Sequence, residues 1–346
     1  MSDIINKVKN FSGTKSQQLD LFSTYFGNQE DHSNTIELWD HIPKYFVTEK
    51  EQVELRTKEG FLPILKRSFE IKNTHWTMEI QPALVSMTNG VEKAVYPGFS
   101  EELIEDALRK IFSQHESGLH EPIQAKSWVR FSLKEVQREL KKWGSTRSID
   151  EIKLSLDIMA GCTVKLFRND KELHSTQIIT SLTSVDRQDY LENTHSRWVC
   201  RLPDLLTEAM STGQYRQYNY ALNMRFRSQI ARWLHKRISH NYIQAGYSGF
   251  FHLMLSSIRR DSGHLDGISI KDQRRKLERA LDELGKDAQV IKSYEQILIK
   301  EGRKIVDVKY HLFPSEAFIT EMKAANARKK HTDKGIADVK TPEINQ

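Results

Sequence analysis

Ser269-Ile-Lys-Asp-Gln-Arg-Arg-Lys-Leu-Glu-Arg-Ala-Leu-Asp-Glu-Leu-Gly285 carries two messages at once. Leu277, Leu281 and Leu284 recur at helical spacing and mark an inward face, and Gly285 supplies a stop. With the leucines inside, Lys271, Arg275 and Arg279 lie toward solvent, flanked by Arg274 and Lys276. The stretch predicts an amphipathic helix with a row of cations on its outer face. Two strands follow, VIKSYEQILI and KIVDVKYHLF. In the second, Val306, Val308, Tyr310 and Leu312 alternate with Asp307, Lys309 and His311, the mark of a half-buried strand. The turn between them, Lys300-Glu-Gly-Arg303-Lys304, sets three basic residues around a glycine.

Upstream, Leu222, Phe226, Ile230, Leu234 and Ile238 fall at intervals of four and predict one long helix. A second helix is predicted near FHLMLSSIRR. Three helices and a hairpin are the order of a winged helix, whose third helix enters the major groove of DNA while the wing touches backbone or minor groove.

The same order is readable earlier in the chain. A helix begins at Ser100 with Leu103, Ile104, Ala107, Leu108, Ile111 and Phe112 on one buried face, and a short strand, SWVRF, follows Pro122. Ser132-Leu-Lys-Glu135 and Ser148-Ile-Asp-Glu151 are capping boxes that open two more helices. TVKLF and QIITSLTSV are predicted as strands joined around Asn169-Asp170. Placing Ser148 on Ser269 also places Leu156 on Leu277, a weak internal repeat. Residues 35–98 are predominantly β in pattern, with Asn89-Gly90 as a turn. The expected fold class is α+β: tandem winged-helix domains with a β-rich N-terminal extension and a mobile N-terminal arm. The expected division is an arm over 1–34, a first domain over 35–205, a basic second domain over 206–330 and a disordered tail over 331–346.

The chain has 346 residues and a formal charge of +6, unevenly spread. Residues 215–280 hold 13 Lys and Arg against 4 Asp and Glu, whereas residues 1–60 hold 7 against 10. A basic block attracts a polyanion, most often nucleic acid, and a solvated helix face is the alternative. Beside the cations of the third helix, Arg225, Arg227, Arg232, Lys236 and Arg237 are expected on phosphates, and Lys300, Arg303 and Lys304 at the wing tip. The third helix of the first unit exposes Asp150, Glu151, Lys153, Ser155 and Asp157, which is not a basic surface. There Arg147, Lys153, Lys165, Arg168 and Lys171 are the candidates for backbone contact, with a protein interface as an equal alternative.

Gln18-Leu19-Asp20-Leu21-Phe22 lies in the polar arm. It matches the peptide with which bacterial proteins dock on the DNA polymerase sliding clamp, an extended segment placing Leu and Phe in an apolar pocket. The other use for these side chains is to pin the arm to the protein's own core.

No signature of catalysis stands out. The 13 histidines include no H-x-H pair, and there is no H-E-x-x-H, Walker A loop, D-x-D pair or G-x-S-x-G elbow. His235, His240, His252 and His264 are expected to pack or to touch phosphate. No enzyme activity and no cofactor are therefore expected. Cys162 and Cys200 read as two reduced thiols of a cytoplasmic protein, and no apolar run has the length of a membrane span or signal peptide.

Thr35-Ile-Glu-Leu-Trp-Asp-His-Ile-Pro-Lys-Tyr-Phe46, the stretch from Tyr96-Pro-Gly-Phe-Ser-Glu-Glu-Leu-Ile-Glu-Asp-Ala-Leu-Arg-Lys-Ile111 and that from Ser127 to Phe167 resemble the plasmid-encoded RepA replication initiators of Gram-negative bacteria. More distantly the chain is similar to TrfA-type initiators. The resemblance covers about residues 35–320. It implies tandem winged helices on double-stranded origin repeats (iterons), opening of an A·T-rich segment, and recruitment of host replication proteins. It also implies repression of the protein's own promoter as a homodimer, with initiation by the monomer. Two other readings stand beside it: a dimeric winged-helix transcription repressor, with the first unit as dimer interface, and an enzyme that nicks or primes DNA.

Overall fold

The computed structural model describes residues 31–340, apart from 88–89, 114–116, 122–125, 185–197, 213, 244–248 and 287–289. The Gln18–Phe22 peptide, Asn89 and residues 341–346 lie outside the described residues. The architecture is mixed α+β, with eleven helices and fifteen strands among the described residues.

The first half opens with β1 (His32–Ile36), α1 (Glu37–His41) and α2 (Glu49–Leu55). Then come β2 (Leu65–Ile71), β3 (Thr74–Gln81), β4 (Ala83–Ser86) and β5 (Glu92–Val95). These bear out the β pattern of residues 35–98. Next stand α3 (Phe99–Phe112), β6 (Gly118–Glu121) and β7 (Lys126–Phe131). Both capping boxes form: Ser132 opens α4 (Leu133–Lys142) and Ser148 opens α5 (Ile149–Gly161). β8 (Thr163–Arg168) and β9 (Lys171–Gln177) turn around Asn169 and Asp170, both at positive φ, and join β2 and β3 in one antiparallel sheet. β10 (Thr180–Ser184) and β11 (Trp198–Arg201) extend β7 and β6 into a second sheet. α6 (Asp204–Ser211), β12 (Tyr215–Asn219) and α7 (Tyr220–Arg225) complete this half, with β12 paired to β1.

The second half runs α8 (Gln229–Asn241), β13 (Phe251–Met254), α9 (Leu255–Ser262), α10 (Ile270–Lys286), β14 (Ile291–Glu301), β15 (Lys304–Pro314) and α11 (Glu316–Lys340). Its sheet order is β13-β15-β14. α3-β7-α4-α5-β8-β9 and α8-β13-α9-α10-β14-β15 thus follow one order, helix, strand, two helices, hairpin.

Two apolar clusters hold the chain. One gathers buried residues from Ile36 to Met224, the other from Phe226 to Met322. Leu206, Tyr218 and Met224, which the sequence assigned to the second domain, pack in the first cluster.

Several expectations need correction. The long helix through Phe226 is broken into α7 and α8. The Glu283 carboxylate accepts from the Arg227 and Ser228 backbone N–H groups, and the Ser228 hydroxyl caps α8, so partners outside the helix replace the ladder there. Phe251–Met254 is a strand, β13, held by β15. QIITSLTSV is not the partner of TVKLF. The two-residue turn at Asn169-Asp170 starts the returning strand at Lys171, and Ile178 and Ile179 then plug the core as the chain changes sheets. The final helix runs through Lys330 to Lys340, over residues expected as tail. Most consequentially, α3 is buried all round. Glu101, Glu102, Glu105, Asp106, Arg109 and Lys110 are all buried with its leucines: α8 covers Glu102 and Asp106, while Trp39, Lys44 and Tyr45 cover Glu105, Asp40 holds Arg109 and Ser155 meets Glu101.

Candidate nucleic-acid interface

Ser269 caps α10 by accepting from the Asp272 N–H. Leu277, Ala280, Leu281 and Leu284 are buried against α8 and the hairpin, which leaves Lys271, Arg275, Lys276 and Arg279 exposed. Lys271, Arg275 and Arg279 sit at i, i+4 and i+8 and form one ridge. Arg275 is 66% exposed beside Asp272 at 3.0 Å, a solvated pair that holds little energy. Lys276 donates to the His264 carbonyl at 2.8 Å. Arg274 faces the hairpin instead: it donates to Gln296 Oε1 at 2.9 Å and lies 3.5 Å from Glu278, and Gln296 donates back to Glu278.

These contacts set the direction of the hairpin. Tyr294 meets Asp282, and Gln296 meets Glu278 and Arg274, so β14 runs antiparallel to α10. Two strand residues and one helical turn each advance about 6 Å, so the hairpin tip projects beyond the N-terminal end of α10. Lys300, Arg303 and Lys304 are exposed at that tip around Gly302, whose φ of 60° suits glycine. The helix cations and the wing cations therefore border one continuous surface.

The cations of α8 are elsewhere. Arg232 is fully buried, bound to Glu102 at 3.2 Å and to Asp106 at 2.6 Å. Burial weighs against its charge, but the two carboxylates outweigh burial and raise its pKa. Lys236 is buried on Asp106 at 2.7 Å. Arg237 meets Asp261 at 2.9 Å and stacks on Trp233. Burial depresses the Arg237 pKa against the pull of Asp261. The expectation that these three hold phosphates is thus overturned. Counting charges within residues 215–280 missed the partners of Arg232 and Lys236, since Glu102 and Asp106 lie more than a hundred residues upstream. A second set of ties joins β2 to α9: Arg260 meets Glu70 at 2.7 Å, Asp261 accepts from the Glu70 N–H, and Arg67 binds Asp266 and the Arg259 carbonyl. Gly263 closes α9 at a φ of 78°, where a side chain would strike Phe46.

The remaining candidates divide. Arg225, the last residue of α7, and Arg227, between α7 and α8, are exposed, and Arg225 lies 5.3 Å over the Trp143 ring. Lys153, Arg168 and Lys171 are exposed on α5 and the β8–β9 turn, and Lys165 pairs with Glu172. Arg147 is tied down, donating to Ser100 Oγ at the start of α3. Ser155, expected outside, is buried and donates to Glu101. α5 therefore presents Asp150, Glu151, Lys153 and Asp157, a mixed face unlike the ridge of α10.

His235 packs between Tyr218, Phe226 and Phe318, and burial, with Lys236 and Arg232 nearby, holds its pKa near 3. Burial, then Lys276 and Arg67, does the same for His264. His252 is exposed on β13, and His240 lies 3.6 Å from Glu37. Burial pushes both Cys162 and Cys200 up to about 12, the state of inert thiols. No group of three or more metal-ligating side chains occurs among the described residues, and none of their helices is long and apolar enough to cross a membrane. Sequence reasoning missed the exposed aliphatic residues Ile297, Leu298, Ile299 and Val306 on the hairpin. The signal was present as three consecutive aliphatics in β14, where a half-buried strand alternates.

No protein-family model matches the chain, and no curated protein matches it. It is similar to solved structures. Domains 2 and 3 of RctB, as selenomethionine derivatives, align over 80% of this chain and 96% of theirs at 13% identity, with a TM-score of 0.45. A second structure of the same RctB domains covers 78% and 97% at 12% identity and a TM-score of 0.44. The Pi initiator protein, in complex with iteron DNA, covers 84% and 99% at 14% identity and a TM-score of 0.37. At TM-scores under 0.5, what the molecule does has to be read from its own side chains.

Proposed function

We propose that this chain is a non-catalytic replication initiator of the RepA type, which binds repeated sites in double-stranded DNA through its second half. One observation carries the reading: the Lys271-Arg275-Arg279 ridge of α10 lies beside a long hairpin with Lys300, Arg303 and Lys304 at its tip. In this reading the two helix-strand-helix-helix-hairpin units are tandem winged helices. α10 enters the major groove, where an arginine fork fits guanine O6 and N7, and the wing cations hold phosphates. The first unit contributes backbone contact through Lys153, Arg168 and Lys171, or serves as the interface of a homodimer. Opening of an A·T-rich segment follows from strain in the bound DNA, and the Gln18–Phe22 peptide brings in the sliding clamp.

The test is fluorescence anisotropy with labelled duplexes tiled across the DNA flanking the coding region. The reading expects tight binding to fragments with direct repeats and weak, salt-sensitive binding to the rest. Uniform affinity across all fragments contradicts it. Leu21→Ala with Phe22→Ala should leave DNA binding intact and abolish binding to purified sliding clamp. A transcription repressor has no use for that peptide, so unchanged clamp affinity returns the choice to the repressor. Incubation of supercoiled DNA with Mg²⁺ or Mn²⁺ should give no nicking, and a nicked product contradicts the non-catalytic assignment.

A further inference from the structure

α4 carries a cationic face that the near-neutral charge of the first half conceals. Lys134, Arg138, Lys141 and Lys142 are exposed, and helical geometry gathers them within about 100° of arc. Leu133, Val136 and Leu140 are buried on the opposite side. The two acids of the helix are engaged elsewhere: Glu135 closes the capping box with Ser132, and Glu139 accepts from Trp143 Nε1 at 2.9 Å. Lys134, Arg138 and Lys141 enter no ion pair among the described residues. The face continues toward the second half. Lys142 lies 4.9 Å and Arg225 5.3 Å from the centre of the same Trp143 ring, which sets the end of α4 beside the end of α7. Two residues on, Arg227 is exposed, and its N–H donates to Glu283 at 2.5 Å. Glu283 follows Arg279 at i+4, on the ridge of Lys271, Arg275 and Arg279. The α4 face, Arg225, Arg227 and the α10 ridge are therefore successive neighbours. From that junction the ridge runs back about 18 Å to Lys271 and the α4 face about 12 Å to Lys134.

We infer, on the DNA-binding reading, that α4 rather than α5 is the surface with which the first unit holds the DNA backbone, its cations meeting phosphates that flank the site occupied by α10. The third helix and the hairpin turn of this unit are then free for another use, the homodimer interface among them. α5 presents Asp150, Glu151 and Asp157 beside Lys153, so a phosphate approaching it meets like charge. α4 presents cations alone. An acidic peptide would also complement four cations, but continuity with the α10 ridge favours a duplex, which offers a charge about every 1.7 Å along such a track. Three of the four cations are lysines, point charges without the planar fork that reads guanine. Gln137, the amide on this helix, is turned to the Arg147 carbonyl. The α4 face therefore adds affinity and salt dependence and leaves sequence preference to α10.

Salt titrations separate the two faces of the first unit. The full chain is compared with an α4 variant, Lys134→Ala with Arg138→Ala and Lys141→Ala, and with Lys153→Ala with Arg168→Ala and Lys171→Ala. Each is titrated against a labelled preferred duplex and a scrambled one of equal length, at several salt concentrations. The α4 variant should flatten the log–log salt slope by about 2.7, or about 0.9 for each lost phosphate contact, and keep the ratio between the two duplexes. The second variant should keep the parent's slope. Exposed helix positions accept alanine, so thermal melts should match the parent; glutamine at the same three α4 positions serves should they differ. A parent slope retained by the α4 variant, while Lys271→Ala with Arg275→Ala and Arg279→Ala flattens it, overturns the α4 role and leaves the DNA-binding reading standing. Equal flattening by the second variant overturns the choice of α4 over α5, and a changed duplex ratio overturns the phosphate-only role. An α4 variant that binds DNA as the parent does but loses affinity for polyglutamate shows a face for acidic proteins and overturns the inference. Failure of the parent to bind any duplex overturns both.

Discussion

α8 and α10 are both basic helices of the same unit, yet their cations serve opposite ends. Arg232 and Lys236 of α8 are drawn inside by Glu102 and Asp106, and they join the second half of the chain to the first. Lys271, Arg275 and Arg279 of α10 stay in water beside the hairpin. The difference comes from what packs on each helix. α8 faces α3, whose outer stripe is acidic, whereas the outer stripe of α10 faces nothing among the described residues. A basic residue count is therefore evidence for nucleic-acid binding only after the buried partners have been subtracted.

The buried cations of α8 should matter to stability and the solvated ones of α10 should not. Asp106→Ala leaves Arg232 and Lys236 buried with one carboxylate fewer. It should cost about 3–5 kcal/mol of stability, measured by urea denaturation, whereas Arg275→Ala should change stability by less than about 0.5 kcal/mol. A mild effect of Asp106→Ala would mean that the α8 cations reach solvent and compete for phosphate after all.

Acid should loosen the α8 side first. His41, His235 and His264 are each held near pH 3 by burial and neighbouring cations, far below the usual 6.5. A lowered histidine pKa contributes stability that is fully present above pH 6.5 and is lost as the pH falls from 6.5 toward 3. Each such group can contribute a slope of up to about 1.4 kcal/mol per pH unit. Glu321 opposes them: burial raises its pKa to about 7, so its contribution is present below its usual 4.5 and fades as the pH rises through 7. His32 and His120 are lowered by burial as well, so five histidines stand against Glu321; the melting temperature should fall between pH 6.5 and pH 5, and His235→Asn should flatten the fall. An unchanged slope would place His235 in contact with water.

Smaller effects sharpen the contrast between the two units. Removing Lys300, Arg303 and Lys304 together should, on the proposed phosphate role of the wing tip, weaken binding to any duplex by a similar factor. Arg147→Ala should alter DNA binding least, since that side chain is spent on Ser100. A loss at Arg147 equal to that at the wing tip would give the first unit an equal share of the DNA surface.

Much of this layout could be read from sequence alone, and the failures have a common cause. Two capping boxes, the leucines of α10, the alternation of β15 and the Asn169-Asp170 turn are local signals, and each matched its element. The exposure of Lys271, Arg275 and Arg279 followed from the same leucines. What was lost depended on contacts distant in sequence. The break at Arg227-Ser228 needs Glu283, the burial of Arg232 needs Glu102 and Asp106, and the strand character of Phe251–Met254 needs β15. The acidic stripe of α3 gave one usable hint. Glu102 and Asp106, at i and i+4 on a helix this apolar, require cationic partners, and Arg232 and Lys236 of α8 share that spacing.

Salt dependence decides whether DNA is met by the α10 ridge or by α8. The logarithm of the binding constant is measured against the logarithm of salt concentration for the parent chain and for Lys271→Ala with Arg275→Ala and Arg279→Ala. Three lost phosphate contacts should flatten the slope by about 2.7, while base contacts among the three would make the drop smaller and the affinity loss larger. A slope and an affinity that both stay at the parent's values would mean that the α10 ridge does not touch DNA.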